Sequence, residues 1–123
     1  MDFAYDDQNI FARILRGEIP AKLASENEVA LAFHDVRPQA PVHVLVIPKG
    51  PYVSLDHFAA GATAVEQAGF LAAIAEVCRM NGLEQGFRAI ANTREHGHQE
   101  VPHFHVHILG GRPLGPILAH SGT

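Results

Sequence analysis

Three things are scarce in this 123-residue sequence: cysteine, long apolar runs and positive charge. The single cysteine, Cys78, cannot form an internal disulfide, which fits a reducing compartment. No apolar stretch approaches the roughly 20 residues that a bilayer-crossing helix needs. Residues 1–7 are acidic and lack the basic start of a signal peptide. We therefore expect a cytoplasmic protein with no membrane partner.

The charge balance argues against a nucleic-acid partner. The formal net charge is -4, and the sequence shows none of the basic patches that nucleic-acid binders usually carry. Hydrophobic residues make up 47% and charged residues 18%, which is ordinary for a folded globular protein. A chain of this length can bury one core without disulfides or metals. With no repeat or linker in view, the sequence predicts a single domain over residues 1–123.

The order of helical and strand-like segments predicts an α+β domain with an antiparallel five-stranded sheet, one long helix and a short N-terminal helix. Apolar spacing predicts that the first helix is capped by Asp6 or Asp7 and stops at Gly17. The long helix is predicted over residues 63–81 with Gly82 as its stop, and Ser54 is a candidate cap for a short turn of helix. Strand-like runs cover residues 21–25, 29–34, 43–48, 87–92 and 102–109.

Histidine is the compositional oddity, because five of the nine histidines fall within residues 96–107. His103, His105 and His107 alternate with apolar residues in a strand-like run. They should therefore share one face of the sheet, with neighbours about 6.6 Å apart along the strand. Imidazole, with an ordinary pKa near 6.5, is largely neutral at pH 7 and can attack an electrophile such as phosphorus. Three imidazoles in a row can address different atoms of one small ligand.

The histidine pattern alone leaves three interpretations open. A lone histidine on a half-buried strand is usually a hydrogen-bonded structural residue. A His-x-His pair with a further histidine can form a zinc site. However, no set of thiolates is available, and His103 and His107 are too far apart to join His105 on one ion easily. The third interpretation is covalent catalysis, in which a histidine nucleophile splits one displacement into two.

Residues 103–109, His-Phe-His-Val-His-Ile-Leu, resemble the histidine triad motif, in which three histidines alternate with apolar residues. The resemblance to the histidine triad (HIT) family extends to residues 9–21 and 32–49. The tail at residues 109–116 is similar to the bacterial Hint-type branch, whose members are purine nucleoside phosphoramidases. The resemblance covers most of the chain and is weakest across residues 50–86.

The resemblance implies hydrolysis of purine nucleoside phosphoramidates through a nucleotidyl-histidine intermediate, with no cofactor and no metal. His105 matches the nucleophile, and His107 matches a phosphate contact that assists protonation of the leaving group. His103 and His43 match supporting histidines. A purine nucleotide, as an AMP or GMP conjugate, is the implied ligand, and a homodimer is the implied assembly. A dinucleoside polyphosphate or nucleotidyl-sulfate hydrolase, or a non-catalytic nucleotide- or zinc-binding module, remains an alternative.

The resemblance also implies where a nucleotide binds. Asp35 matches a carboxylate that accepts both ribose hydroxyls, and Asn92 matches a ribose–phosphate contact. Gln99 and Glu100 fall in the loop that lines the phosphate, where backbone N–H groups can bind its oxygens. Of the residues that match the purine pocket, Ile10, Phe11 and Ile14 are also suited to a plain apolar core. The full set is Ile10, Phe11, Ile14, Phe33, His34 and Val36.

Two positions depart from the family pattern. His98 stands where glycine is usual, and Pro102 stands where an aromatic residue is common. If position 98 requires a positive φ, histidine is tolerated there better than most residues. Proline removes one backbone donor, which suits the start of a strand. Elsewhere, we expect His57 and His120 to be solvated and Cys78 to be a small core residue.

Overall fold

The computed structural model describes residues 2–118, and these form a five-stranded antiparallel sheet with three helices. In chain order the elements are α1 (Ile10–Leu15), β1 (Leu23–Glu26), β2 (Ala30–His34), β3 (Val42–Pro48), α2 (Leu55–Gly61), α3 (Ala64–Met80), β4 (Phe87–Ile90) and β5 (Val106–Gly110). The order of strands across the sheet is β1-β2-β3-β5-β4, and every neighbouring pair is antiparallel. The predicted α+β class is confirmed. His120 lies outside the described residues.

The predicted cap of α1 is wrong. Asn9 caps this helix, because its side-chain oxygen accepts a hydrogen bond from the N–H of Ala12 at 2.9 Å. The Asp6 carboxylate instead accepts a hydrogen bond from the N–H of Gln8, in the turn that precedes the helix. The neighbouring Asp7 carboxylate accepts from the Gln8 side chain. The cap therefore lies two or three residues later in the chain than the predicted Asp6 or Asp7.

The predicted glycine stops and the predicted Ser54 cap are found at the other helix ends, where Thr63 adds a cap that was not predicted. Gly17 and Gly82 follow α1 and α3 with φ of 77° and 64°, the left-handed conformation that glycine adopts without strain. Ser54 caps α2, and Thr63 caps α3 in a reciprocal capping box with Glu66. Over residues 2–118, none of the helices has both the length and the apolar character that crossing a bilayer requires.

The sheet buries an apolar cluster on each face. On one face α3 packs across β2 and β3, and the rings of Phe58, Phe70 and Phe104 contact one another with centroids 5.1–5.2 Å apart. On the other face α1 contributes Phe11 to a smaller cluster with side chains of β2 and β3, including Ile47. Because side chains alternate along a strand, β2 and β3 supply both clusters. The face covered by α1 is the one that carries the candidate site.

The strand of the triad is shorter than predicted. Pairing between β3 and β5 reaches Val46 opposite Val106 and extends no further toward Pro102. The N–H of Phe104 donates instead to the carbonyl oxygen of Tyr52 at 2.7 Å. The backbone before β5 therefore leaves the ladder and is held by the segment that precedes α2.

The sequence also predicts the surroundings of two side chains away from the triad, His57 and Cys78. His57 is half-buried rather than solvated, because its ring lies between those of Phe3 and Tyr52. Its Nδ1 accepts a hydrogen bond from the N–H of Val53 at 3.0 Å. Cys78 packs against the larger core cluster, and burial raises the pKa of its thiol. His57 therefore helps to hold the N-terminal segment in place, whereas Cys78 is a partly buried residue at the edge of the core.

Candidate active site

The three triad histidines lie on the α1 face of the sheet, as their spacing predicts. Only His107 belongs to β5, but His103 and His105 keep the same alternation, because the intervening Phe104 and Val106 point into the opposite cluster. His103 and His105 are 0% and 5% exposed, and His107 is half-buried. The ring centroids of His105 and His107 are 5.1 Å apart. Both imidazoles can therefore reach one small group.

A single hydrogen bond fixes which nitrogen of His105 can attack. Its Nδ1 lies 2.7 Å from the carbonyl oxygen of His103. A carbonyl oxygen only accepts, so Nδ1 carries the proton and Nε2 keeps the lone pair. The ring of Phe11 packs edge-on against His105 with centroids 5.0 Å apart, and so restrains its plane. His105 thus presents an unprotonated Nε2.

A backbone donor fixes the protons of His43 and His107 in the same way. The N–H of Gln39 donates to Nδ1 of His43 at 3.0 Å, so neutral His43 holds its proton on Nε2. That nitrogen lies 2.9 Å from Nδ1 of His107 and donates to it. His107 therefore carries its own proton on Nε2. The site presents a lone pair on His105 beside an N–H donor on His107.

Burial keeps all four imidazoles neutral. It is the main cause that lowers the pKa of His103 and of His107 to about 4. It also lowers the pKa of His105 and of His43 from the ordinary value. The Asp35 carboxylate acts in the opposite direction on His43 and His105, with a smaller effect. At neutral pH the site therefore holds uncharged imidazoles.

The imidazoles open into a cavity of about 390 Å³, which is within the range of small-molecule sites. It lies between α1, the end of β2 and the loop before the triad. Val36 stands at its edge with 93% of its surface exposed, although it is a large apolar residue. The predicted site residues that line the cavity are Ile10, Phe11, Ile14, Phe33, His34, Asp35, Val36, Asn92, Glu100, His105 and His107.

Two predicted site residues, His103 and His43, lie behind the cavity wall. Nε2 of His103 donates to the carbonyl oxygen of Pro48 at 2.8 Å, and its Nδ1 is 2.7 Å from the hydroxyl of Tyr5. His43 lies behind His107 through the hydrogen bond described above. Tyr5 has no place in the sequence predictions, because its contact spans 98 positions and no local pattern reveals it.

Gln99 is the third predicted residue outside the cavity lining, and its side chain anchors the loop. Its Nε2 donates to the carbonyl oxygen of Val53 at 2.6 Å, and its Oε1 accepts from the N–H of Arg94 at 3.0 Å. Arg94 also pairs with the Asp56 carboxylate at 2.8 Å. This guanidinium and the Ser54 hydroxyl hold the pKa of Asp56 well below its usual range. The loop that carries the cavity rim is therefore fastened to the start of α2.

His98 adopts the left-handed conformation, with φ of 59°, that a glycine would adopt without strain. Its exposed ring lies at the rim of the cavity, with Nε2 3.0 Å from the Glu100 carboxylate. Pairs this exposed contribute little to stability. Histidine in place of glycine therefore adds a side-chain contact with Glu100 at the rim of the cavity.

Asp35 follows β2 and borders the cavity. Its Oδ1 accepts from the N–H of Arg37 at 2.7 Å, and its Oδ2 lies 3.4 Å from Nε2 of His43. Its own N–H donates to the carbonyl oxygen of His43 at 3.0 Å. The backbone and the carboxylate are therefore held in place, while a carboxylate retains lone pairs for further donors.

Asp35, His43 and His107 each offer a ligand atom, and these atoms lie within 4.8 Å of one another. This set differs from the three triad histidines considered from the sequence, and its composition suits zinc. A metal would need the lone pair of Nε2 on His43. The N–H of Gln39 occupies Nδ1 and leaves the proton on Nε2. The hydrogen bonds of the site therefore do not fit a metal ion at these atoms.

Known proteins resemble this chain over nearly its whole length. An uncharacterised 13.2 kDa HIT-like protein of Azospirillum brasilense is 56% identical over 115 residues, which cover 93% of this chain and 94% of that protein. The purine nucleoside phosphoramidase of Escherichia coli strain K12 is 42% identical over 119 residues, which cover 94% and 98%.

A solved structure shows the same architecture. The histidine triad protein from Clostridium difficile superposes with a TM-score of 0.80 at 36% identity, covering 94% of this chain and 100% of that one. The model of the HIT domain family matches residues 16–114, which include β1 to β5 and the candidate site from Phe33 onward. The chain belongs to the HIT domain family.

Proposed function

We propose that this protein hydrolyses purine nucleoside phosphoramidates, with His105 as the nucleophile. The observation that carries the proposal is the arrangement of protons: a lone pair on Nε2 of His105 beside an N–H on Nε2 of His107. Membership in the HIT family supports a nucleotide-phosphate substrate. Similarity to a relative named purine nucleoside phosphoramidase supports cleavage of a P–N bond.

In the proposed reaction, Nε2 of His105 attacks the α-phosphorus and the P–N bond breaks. The leaving nitrogen takes a proton, and the N–H of His107 is the donor on the same face. Water then attacks phosphorus and returns a proton to Nε2 of His107, the bond to His105 breaks, and the nucleoside monophosphate leaves. Such transfers depend mainly on positioning and charge stabilisation, and the buried imidazoles supply both.

We place the nucleotide along the 390 Å³ cavity with its phosphate at the triad. The purine lies between the apolar side chains of α1 and those of Phe33 and Val36. The ribose hydroxyls reach Asp35, and Asn92 faces the ribose–phosphate region. Glu100 stands at the phosphate loop. Gln99 acts there only through its anchoring of the backbone.

The direct test compares three substrates: AMP joined to an amine through a P–N bond, a dinucleoside polyphosphate and a nucleotidyl sulfate. We expect AMP release to be fastest from the P–N conjugate. Faster cleavage of either of the other two would assign the protein to that alternative instead. AMP binding without cleavage of any substrate, together with zinc in the purified protein, would show that the protein is a binding module and not an enzyme.

The proposed ribose contact predicts a selective loss in Asp35→Asn. An amide keeps the size of the side chain and can still accept from the N–H of Arg37, but it has only one acceptor oxygen. We expect kcat/KM on the ribose conjugate to fall about tenfold or more, as for a lost hydrogen bond to a charged group. The matched 2′-deoxy conjugate, which has already lost one hydroxyl, should lose less. Equal losses on both conjugates would contradict the ribose contact.

We also propose that two copies of the chain pair through β4 and α3. In the described part of the chain, β4 ends the sheet and only one of its edges is paired. Phe87 on this strand and Val65 and Leu71 on α3 are exposed large apolar residues. Pairing of the two edges would extend the sheet and cover these side chains. These features favour a homodimer.

A further inference from the structure

The segment that precedes α1 contacts the first histidine of the triad. The hydroxyl of Tyr5 lies 2.7 Å from Nδ1 of His103, and the two rings meet edge to face with centroids 5.6 Å apart. His103 is fully buried and does not line the cavity. Tyr5 also precedes residues 16–114, the part of the chain that the HIT family model matches.

The hydrogen bonds of His103 use both of its nitrogens. Nε2 donates to the carbonyl oxygen of Pro48 at 2.8 Å, so in the neutral ring Nδ1 holds the lone pair. The Tyr5 hydroxyl is therefore the donor to Nδ1. Rotation of this ring, or a change of its tautomer, would leave buried polar atoms unpaired. Tyr5 and Pro48 thus hold the ring of His103 from two sides.

The main chain of His103 carries this restraint to His105. The carbonyl oxygen of His103 accepts the proton on Nδ1 of His105 at 2.7 Å, and this bond leaves Nε2 unprotonated. We propose that Tyr5 is a positioning residue: its hydroxyl holds His103, whose carbonyl group holds His105 in the attacking tautomer and orientation. The inference rests on the proposed function, which makes His105 the nucleophile.

The surroundings of Tyr5 support a fixed contact. A guanidinium N–H of Arg16 donates to the carbonyl oxygen of Asp7 at 2.8 Å, which fastens the segment to the end of α1. The same helix carries Phe11, whose ring contacts His103 and His105 at centroid distances of 6.4 and 5.0 Å. The N-terminal segment and α1 therefore form one support behind the two histidines.

Tyr5→Phe tests the role of the hydroxyl, because it keeps the aromatic ring. We expect kcat on the AMP–amine conjugate to fall about tenfold, while KM stays within about twofold, since the variant disturbs the nucleophile and leaves the nucleotide contacts in place. Tyr52→Phe is the matched control. It removes only a half-buried hydroxyl that donates to Glu66 at 2.7 Å. The main-chain carbonyl that holds Phe104 is retained, so kcat should stay near the wild-type value.

Nitrogen-15 NMR of the imidazoles gives a readout that does not depend on turnover. In Tyr5→Phe the Nδ1 resonance of His103 should move downfield, because it loses a donor, and the His105 signals should show a mixture of tautomers. An unchanged kcat, unchanged His105 signals, or an equal loss of kcat in Tyr52→Phe would overturn the inference. If the wild-type protein cleaves no conjugate, the proposed function fails, and the His105 signals alone then decide whether Tyr5 sets its tautomer.

Discussion

His105→Ala is expected to lower kcat on an AMP–amine conjugate by at least about a thousandfold, as does removal of other enzymatic nucleophiles. Its neighbours cannot take over the attack. Nδ1 of His107 accepts from His43 and its Nε2 is protonated, while both nitrogens of His103 are hydrogen-bonded. Among the triad histidines, only His105 combines a free lone pair on Nε2 with a position on the cavity. Steady-state kinetics with excess substrate measures the loss.

A control for this variant comes from the same cluster of histidines. His96 is exposed on the loop before the triad and does not line the cavity, so His96→Ala should keep kcat near the wild-type value. AMP affinity of His105→Ala, measured by calorimetry, should remain within several-fold of wild type because the apolar walls are untouched. Undiminished turnover by His105→Ala would rule out this residue as the nucleophile.

Acidification from pH 6.5 to pH 4 is expected to cost this fold about 3 kcal/mol through His103 alone. Burial lowers the pKa of His103 from 6.5 to about 4. Between these values the unfolded chain binds the proton and the folded chain does not, so the free energy of unfolding falls as the pH falls. Each pKa unit corresponds to about 1.4 kcal/mol. His107, whose pKa is also lowered to about 4, acts in the same direction.

Urea unfolding at a series of pH values measures this loss as a shift in the midpoint at constant slope. His103→Gln is the comparison, because glutamine does not protonate in this range. Its stability at pH 7 is expected to be lower than that of wild type, but its dependence on pH between 6.5 and 4 should be flatter. Carboxyl groups titrate in both proteins and cancel in the difference. Parallel curves for the two proteins would contradict the role given to His103.

Local patterns in the sequence were enough to predict the features that depend on local physics. The alternation at residues 103–108 placed the histidines on one face, even where the backbone leaves the sheet. The left-handed glycines after α1 and α3 ended those helices as predicted. The cap of α1 was predicted at the wrong residue, because aspartate and asparagine are similarly good caps and only the path of the entering chain selects Asn9.

Features that depend on distant contacts could not be predicted from the sequence. The bond between Tyr5 and His103 joins residues 98 positions apart, and that between Gln99 and Val53 joins residues 46 positions apart. The β3–β5 ladder ends early because the N–H of Phe104 donates to the carbonyl oxygen of Tyr52. This hydrogen bond also joins distant segments of the chain. The family resemblance brought the cavity residues together, but it did not show which side chains hold the loop from behind.

The proton positions of the candidate site are set by main-chain groups. The N–H of Gln39 and the carbonyl oxygens of Pro48 and His103 each fix one imidazole. Peptide groups do not ionise near neutral pH, and they are the same whatever the side chain is. Proline is the exception, because it has no N–H to donate. Substitution of the side chain at position 48, or at position 39 by any residue except proline, therefore leaves these main-chain hydrogen bonds and the proton positions unchanged. Proline is acceptable at position 48 because only its oxygen is needed there.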